Sequence, residues 1–92
     1  MSGVPRRAGP GQQVTMHGVG FPAGDTVKVA YNLGPGQDWP LSSSPAQTDA
    51  QGRFTITFTV LDIFCGDDGQ MNTYDLGGDG RLLTSNPLAV VC

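Results

Sequence analysis

Apolar and polar side chains alternate along much of this chain, and the alternation is strongest between Phe54 and Val60. Phe54, Ile56, Phe58 and Val60 are interleaved with Thr55, Thr57 and Thr59. A period of two puts successive side chains on opposite faces of an extended strand. Four large apolar groups therefore face a second layer, while three β-branched hydroxyls face outward as solvated sheet. Two further segments read the same way. In Gln13 to His17, Val14 and Met16 oppose Thr15 and His17; in Thr26 to Asn32, Val27, Val29 and Tyr31 oppose Lys28, Ala30 and Asn32. No window carries an apolar period near 3.6 over a helical length.

Turn chemistry divides these segments. Phe21 reads as a core plug before a Pro22-Ala23-Gly24-Asp25 turn, and Thr48 to Gly52 is a turn feeding the long strand. After Val60 the parity slips, with Leu61, Ile63 and Cys65 in the opposite phase, which predicts a bulge or a chain reversal near Val60 to Asp62. Gly66 to Gly69 turns the chain again. Met71 to Leu76 is then expected as a strand with Tyr74 and Leu76 inward, followed by a tight Gly77 to Gly80 connection. A short strand over Arg81 to Thr84, a turn at Ser85-Asn86-Pro87 and a closing strand from Leu88 to Cys92 complete the pattern. The stretch Gly34 to Pro45 has three prolines, two glycines and a serine triplet, so only an edge strand fits there, near Trp39 to Ser42.

Six to eight short strands in one chain of 92 residues predict an all-β fold. The expected architecture is an immunoglobulin-like Greek-key β-sandwich of about seven strands, with a small open barrel as the competitor. Residues 12–92 form the single domain. Residues 1–11, rich in Gly, Pro and Arg, read as a flexible leader or the start of an edge strand at Val4-Pro5.

Charge narrows the partners. The net charge is −3 and charged residues are only 14% of the chain, so the surface is largely Thr, Ser, Asn, Gln and Gly, as on many extracellular β modules. There is no basic stripe to neutralise phosphates, which argues against nucleic acid. No apolar run has the length of a bilayer span, and no membrane insertion is expected. Cys65 and Cys92 can close a loop pinning the last strand, and a bond between them implies an oxidising compartment: extracellular, cell surface or virion. No apolar signal segment opens the chain, so export implies a removed signal, a longer parent protein or a larger assembly.

The segment from Pro5 through Gly9-Pro10-Gly11 to Gly18-Val19-Gly20-Phe21 resembles the opening of IPT/TIG-type immunoglobulin-like domains. Pro22 to Val27 and Thr48-Asp49-Ala50-Gln51-Gly52-Arg53-Phe54 are similar to segments of many bacterial immunoglobulin-like modules. The latter turn and strand also resemble the apoproteins of enediyne antibiotic carriers, although those have two disulfides and this chain has a single cysteine pair. The first resemblance implies a spacer, dimerisation or adhesion module within something larger, and it carries no site residue.

Candidate chemistry is sparse. His17 is the only histidine and has no nucleophile motif to serve, so no catalytic residue is assigned and the chain is not expected to be an enzyme. One His and two Cys do not make a structural zinc site. Asp67 and Asp68, and Asp75 and Asp79 around Gly77-Gly78-Asp79-Gly80, partly resemble a calcium repeat, but Leu82 stands where its aspartate belongs, and they read as turn formers. No metal or cofactor is expected. Trp39 either folds back with Pro35, Pro40 and Leu41 over a thin core or anchors a binding surface with Leu41 and Tyr74. Two functions follow. The first is a non-catalytic structural or protein-interaction module of a cell-surface, secreted or phage-particle protein, partnered by another protein or by neighbouring domains. The second is a small-ligand or carbohydrate carrier using the 34–45 loop and a cleft at the sandwich end.

Overall fold

A computed structural model describes residues 1–42 and 44–92. The described residues form eight strands: β1 (Arg7–Ala8), β2 (Gln13–Gly18), β3 (Thr26–Asn32), β4 (Asp38–Pro40), β5 (Ala46–Gln47), β6 (Phe54–Thr59), β7 (Asp68–Asp75) and β8 (Leu82–Val90). A single 3-10 turn, Asp62–Phe64, interrupts them. The fold is all-β, with two sheets. The larger is mixed and six-stranded in the order β1-β8-β7-β3-β4, with β5 on the same flank of β3 as β4; the smaller pairs β2 with β6. Only β1 and β8 run parallel.

The β2–β6 ladder forms where the alternation is cleanest. Val14 pairs with Phe58 and Met16 with Ile56, and all four side chains are buried, while Thr15, His17, Thr55 and Thr59 face water. Gly18 lies opposite Phe54, whose ring occupies the space a Cβ would need. Across the core, β3 supplies Val27, Val29 and Tyr31, β7 supplies Met71, β8 supplies Leu88 and Val90, and β1 supplies Ala8. Burying side chains of this kind contributes about 1.5–3 kcal/mol each for the larger aliphatic and aromatic groups. Phe21 plugs one end, edge-on to Phe54 with ring centroids 5.2 Å apart.

The Asp49 turn explains why that plug seats. Its Oδ1 accepts the N–H groups of Gln51 and Arg53, both at 2.9 Å, and these bonds, that of Arg53 foremost, hold the Asp49 carboxyl below the usual carboxylate range. Gly52 follows with φ +71°, and its carbonyl accepts the Phe21 N–H at 3.1 Å. A Cβ at Gly52 would drive into the Phe21 carbonyl. Gly52→Ala is therefore expected to destabilise the domain by more than about 1 kcal/mol, read as a lower urea midpoint at unchanged slope.

The end of the chain departs from the sequence expectation. Arg81 to Thr84 and Leu88 to Cys92 are not separate strands around a turn, because β8 runs unbroken through Ser85, Asn86 and Pro87. Proline is accepted there for a directional reason. Ala89 and Val91 send their N–H groups to β1 and its flank, so Pro87, in the same phase, has its missing donor on that side, where β1 has not yet begun. The facing of β7 is also reversed: Leu76 is exposed in the hairpin and Tyr74 lies outward, whereas Met71, Thr73 and Asp75 face in. Gly69 sets this phase. The Tyr31 ring lies where its Cβ would be, and a slip of one residue would put a side chain into that ring.

Residues 1–11 are tied to both sheets. Ser2 exchanges two backbone hydrogen bonds with His17, each 2.9 Å, and Arg7 and Ala8 pair with Ala89 and Val90. The edge pairing thus falls on either side of Val4-Pro5. The parity slip after Val60 resolves as a chain reversal through the 3-10 turn.

Candidate functional site

The reversal after β6 builds a surface where the aromatic core reaches solvent. Phe64 N–H donates to the Leu61 carbonyl at 3.1 Å and Cys65 N–H to that of Asp62 at 3.0 Å. This tight winding sends Phe64 into the core and leaves Leu61 and Ile63 outside, 49% and 62% exposed. Three ties hold the turn to β8: Gly66 N–H to the Val90 carbonyl at 2.9 Å, Val90 N–H to the Asp67 carbonyl at 2.8 Å, and the Cys65–Cys92 disulfide, with Cα atoms 5.6 Å apart.

Trp39 arrives from the opposite side. Leu33 N–H bonds the Gln37 carbonyl and Gln37 N–H that of Gly34, both at 3.0 Å, so the chain reverses tightly and lays β4 along β3. Trp39 then pairs with Tyr31, an inward residue, and so shares its face. The rings form a continuous stack: Tyr31 meets Phe64 edge-on at 5.0 Å and Phe58 at 5.7 Å, and Trp39 meets Phe64 edge-on at 5.6 Å. Its buried end is fixed by the Tyr31 hydroxyl, which donates to the Leu88 carbonyl at 2.6 Å and accepts Gly69 N–H at 3.1 Å. Burial raises the pKa of that hydroxyl, which stays neutral. At the other end Trp39 is 47% exposed. Between Trp39, Pro40, Ser42, Phe58, Leu61 and Phe64 lies a cleft of about 180 Å³.

Of the residues expected to form a binding surface, only Trp39 lies here. Leu41 is 5% exposed, a core residue whose N–H bonds the Val29 carbonyl at 3.1 Å. Tyr74 is on the far face of the sheet, because it pairs with the outward Lys28. Its hydroxyl donates to Asp38 Oδ1 at 3.0 Å and accepts from Asn72 at 3.1 Å, and the Lys28 ammonium sits 5.6 Å from its ring centroid. Alternation along β4 divides the pair, since Asp38 and Trp39 point to opposite faces. Leu61, Ile63 and Phe64 are the site residues that sequence reasoning missed. Their signal was the slip in parity, which left apolar residues that could not all face one layer. Ser43, within the 34–45 loop invoked for ligand binding, lies outside the described residues.

The other sizeable depression, about 370 Å³, is an open groove bordered by His17, Asp49, Arg53, Phe54 and Thr55. There His17 Nδ1 lies 3.1 Å from Thr55 Oγ1, and Arg53 Nε 3.7 Å from Asp49 Oδ2, with all four side chains open to solvent. Among the described residues no three His, Cys, Asp or Glu side chains converge as a metal site. No helix among them is long and apolar enough to cross a membrane. No family model, curated protein or solved structure matches the chain.

Proposed function

We propose that this chain is an immunoglobulin-like module of the IPT/TIG kind, acting without catalysis as a protein-interaction domain of a cell-surface, secreted or particle-borne protein. The strand arrangement supports the fold reading: a β2–β6 pair faces β1-β8-β7-β3-β4, and the chain crosses between the sheets after β1, β2, β5 and β6. The disulfide suits an oxidising location.

One observation carries the interaction reading. Trp39, Leu61 and Ile63 stay exposed although each is attached to a rigid element, and an ordered aromatic anchor offers large contact area at low entropic cost. The partner is a protein segment with an apolar centre and basic flanks. Asp62 is exposed between Leu61 and Ile63, and Arg6 and Arg7 lie at the opposite edge of the large sheet, four strand positions from Trp39. The carrier alternative has less support, because the cleft under Trp39 is about 180 Å³ and pockets for small ligands run from about 300 to 1,000 Å³.

Panning a displayed random dodecapeptide library on the disulfide-intact chain tests the proposal. Peptides joining aromatic or aliphatic residues to Lys or Arg are expected, with affinity falling at least tenfold on Trp39→Ala and on Ile63→Ser while circular dichroism is unchanged. Equal binding to both variants would refute it. Trp39 emission should also be quenched readily by acrylamide, and a blue-shifted, protected emission would remove the anchor.

A further inference from the structure

The end of the sandwich away from Trp39 brings two carboxyl groups face to face. Asp25 closes the loop into β3, and Asp75 ends β7. Hydrogen bonds hold both backbones in place. Asp25 Oδ1 accepts Thr26 N–H at 2.9 Å, and its own N–H donates to Thr48 Oγ1 at 2.7 Å, whose hydroxyl donates to the Pro22 carbonyl at 2.6 Å. Asp75 N–H donates to the Arg81 carbonyl at 2.9 Å, and its carbonyl accepts Gly78 and Gly80 N–H at 3.2 and 2.8 Å.

Gly78 N–H also reaches the Asp75 carboxyl and works against its protonation. Asp25 Oδ2 and Asp75 Oδ1 are both buried without a hydrogen-bond partner, and the two carboxyl groups are neighbours against the consecutive Gly77 and Gly78. Two carboxylates are acceptors only, so a direct bond between them requires a proton on one. The surrounding charge does not remove the need. Asp79, on the β7–β8 hairpin, adds negative charge. On β3, Lys28 points outward to Tyr74; Arg81, just before β8, meets Asp75 through its carbonyl and is exposed; β8 carries no ionisable side chain; in the facing sheet and its turn, His17 bonds Thr55 and Arg53 pairs with Asp49. Gly77 and Gly78 form the wall over the pair. A Cβ at Gly77 would strike Asp25 Oδ1, and one at Gly78 would strike the Asp75 carboxyl, so the hairpin closes here because it has no side chains.

We infer that Asp25 and Asp75 form a proton-sharing clasp that binds the β2–β3 loop to the β7–β8 hairpin and strengthens this end of the domain in acid. The hydrogen bond to Asp25, with burial, raises Asp75 above the usual carboxylate range. A group whose folded pKa exceeds its unfolded value holds its proton more tightly when folded. Its stabilisation is complete below the unfolded value, about pH 3.9, and is lost as pH rises through the folded one. Asp49 acts in the opposite sense: its stabilisation is present above the unfolded value and lost on acidification through the folded one. A single stability curve sums the two, so the test is a difference.

Urea unfolding of the disulfide-intact chain between pH 3.5 and 7.5 should be compared with Asp75→Asn, whose amide can donate to Asp25 at every pH. At pH 7.5 the variant is expected to unfold at a higher urea concentration than the parent, with the gap closing or reversing by pH 4. A gap independent of pH overturns the inference. If Asp75→Asn fails to fold, Asp25→Asn replaces it with the same expectation. A carbon-13 titration of the parent gives a direct reading: the Asp75 carboxyl midpoint lies above the ordinary aspartate value of about 3.9, and a midpoint at or below it overturns the clasp.

Discussion

Phe64→Ala lowers the free energy of unfolding by about 3–5 kcal/mol, the range for truncating a well-packed phenylalanine. Phe64 is 2% exposed and touches the rings of Tyr31, Phe58 and Trp39, so its loss opens a void where the two sheets and the 3-10 turn meet. Small domains hold only about 5–15 kcal/mol in total, which brings the variant close to its unfolding threshold. Urea titration with the disulfide intact measures the loss. Trp39→Ala is the control: it gives up one edge-on ring contact at the surface, worth about 0.5–1.5 kcal/mol, and should fold nearly as well as the parent. Equal costs for the two variants would mean that Phe64 does not organise the aromatic stack.

Replacing Cys65 and Cys92 together by serine is expected to cost about 3.5 kcal/mol, the chain-entropy value for a loop closed over 27 residues. In a chain of this size that lowers the melting temperature by roughly 15–25 °C. The loss is also local. Cys92 anchors the end of β8, and Cys65 follows the turn that exposes Leu61 and Ile63. Hydrogen exchange should therefore accelerate first at Gly66, Val90 and Val91, whose amides bond the carbonyls of Val90, Asp67 and Ala8 around the bridge. A melting temperature within about 3 °C of the parent would contradict both the energy and the anchoring role. On the proposed function, reduction also loosens the docking surface, and peptide affinity should fall with it.

How far such expectations could be read from sequence depended on the range of the interactions behind them. The alternation in β2, β3 and β6 was legible because each strand has one face on the core and the other more open, exposed in β2 and β6 and half-covered in β3. The turns at Asp49 and Gly66 were legible because aspartate and glycine act within a few residues. β7 was not. Its Gly-Gln-Met-Asn-Thr-Tyr-Asp run admits two phases of comparable hydrophobicity, and the choice was made by Gly69 against the ring of Tyr31, 38 positions earlier. Pro87 misled for a related reason. Whether a strand accepts proline depends on which side its missing donor faces and on whether a neighbour lies there, and Pro87 comes before the start of β1.

The site divides along the same line. Trp39 could be named as an anchor because a lone tryptophan in a Pro- and Gly-rich stretch is conspicuous. Its companions could not be assigned, because Leu41 and Tyr74 were separated from it by alternation and strand pairing, while Leu61 and Ile63 were joined to it by a reversal of the chain. Sequence by itself determined the all-β class, the core faces of three strands and the cysteine pair available for bonding, since all of these rest on local periodicity and residue chemistry. Tertiary structure alone decided the phase of β7, the continuity of β8, the exposed apolar trio and the meeting of Asp25 with Asp75. Each of those depends on contacts between segments distant in the chain, which no local pattern encodes.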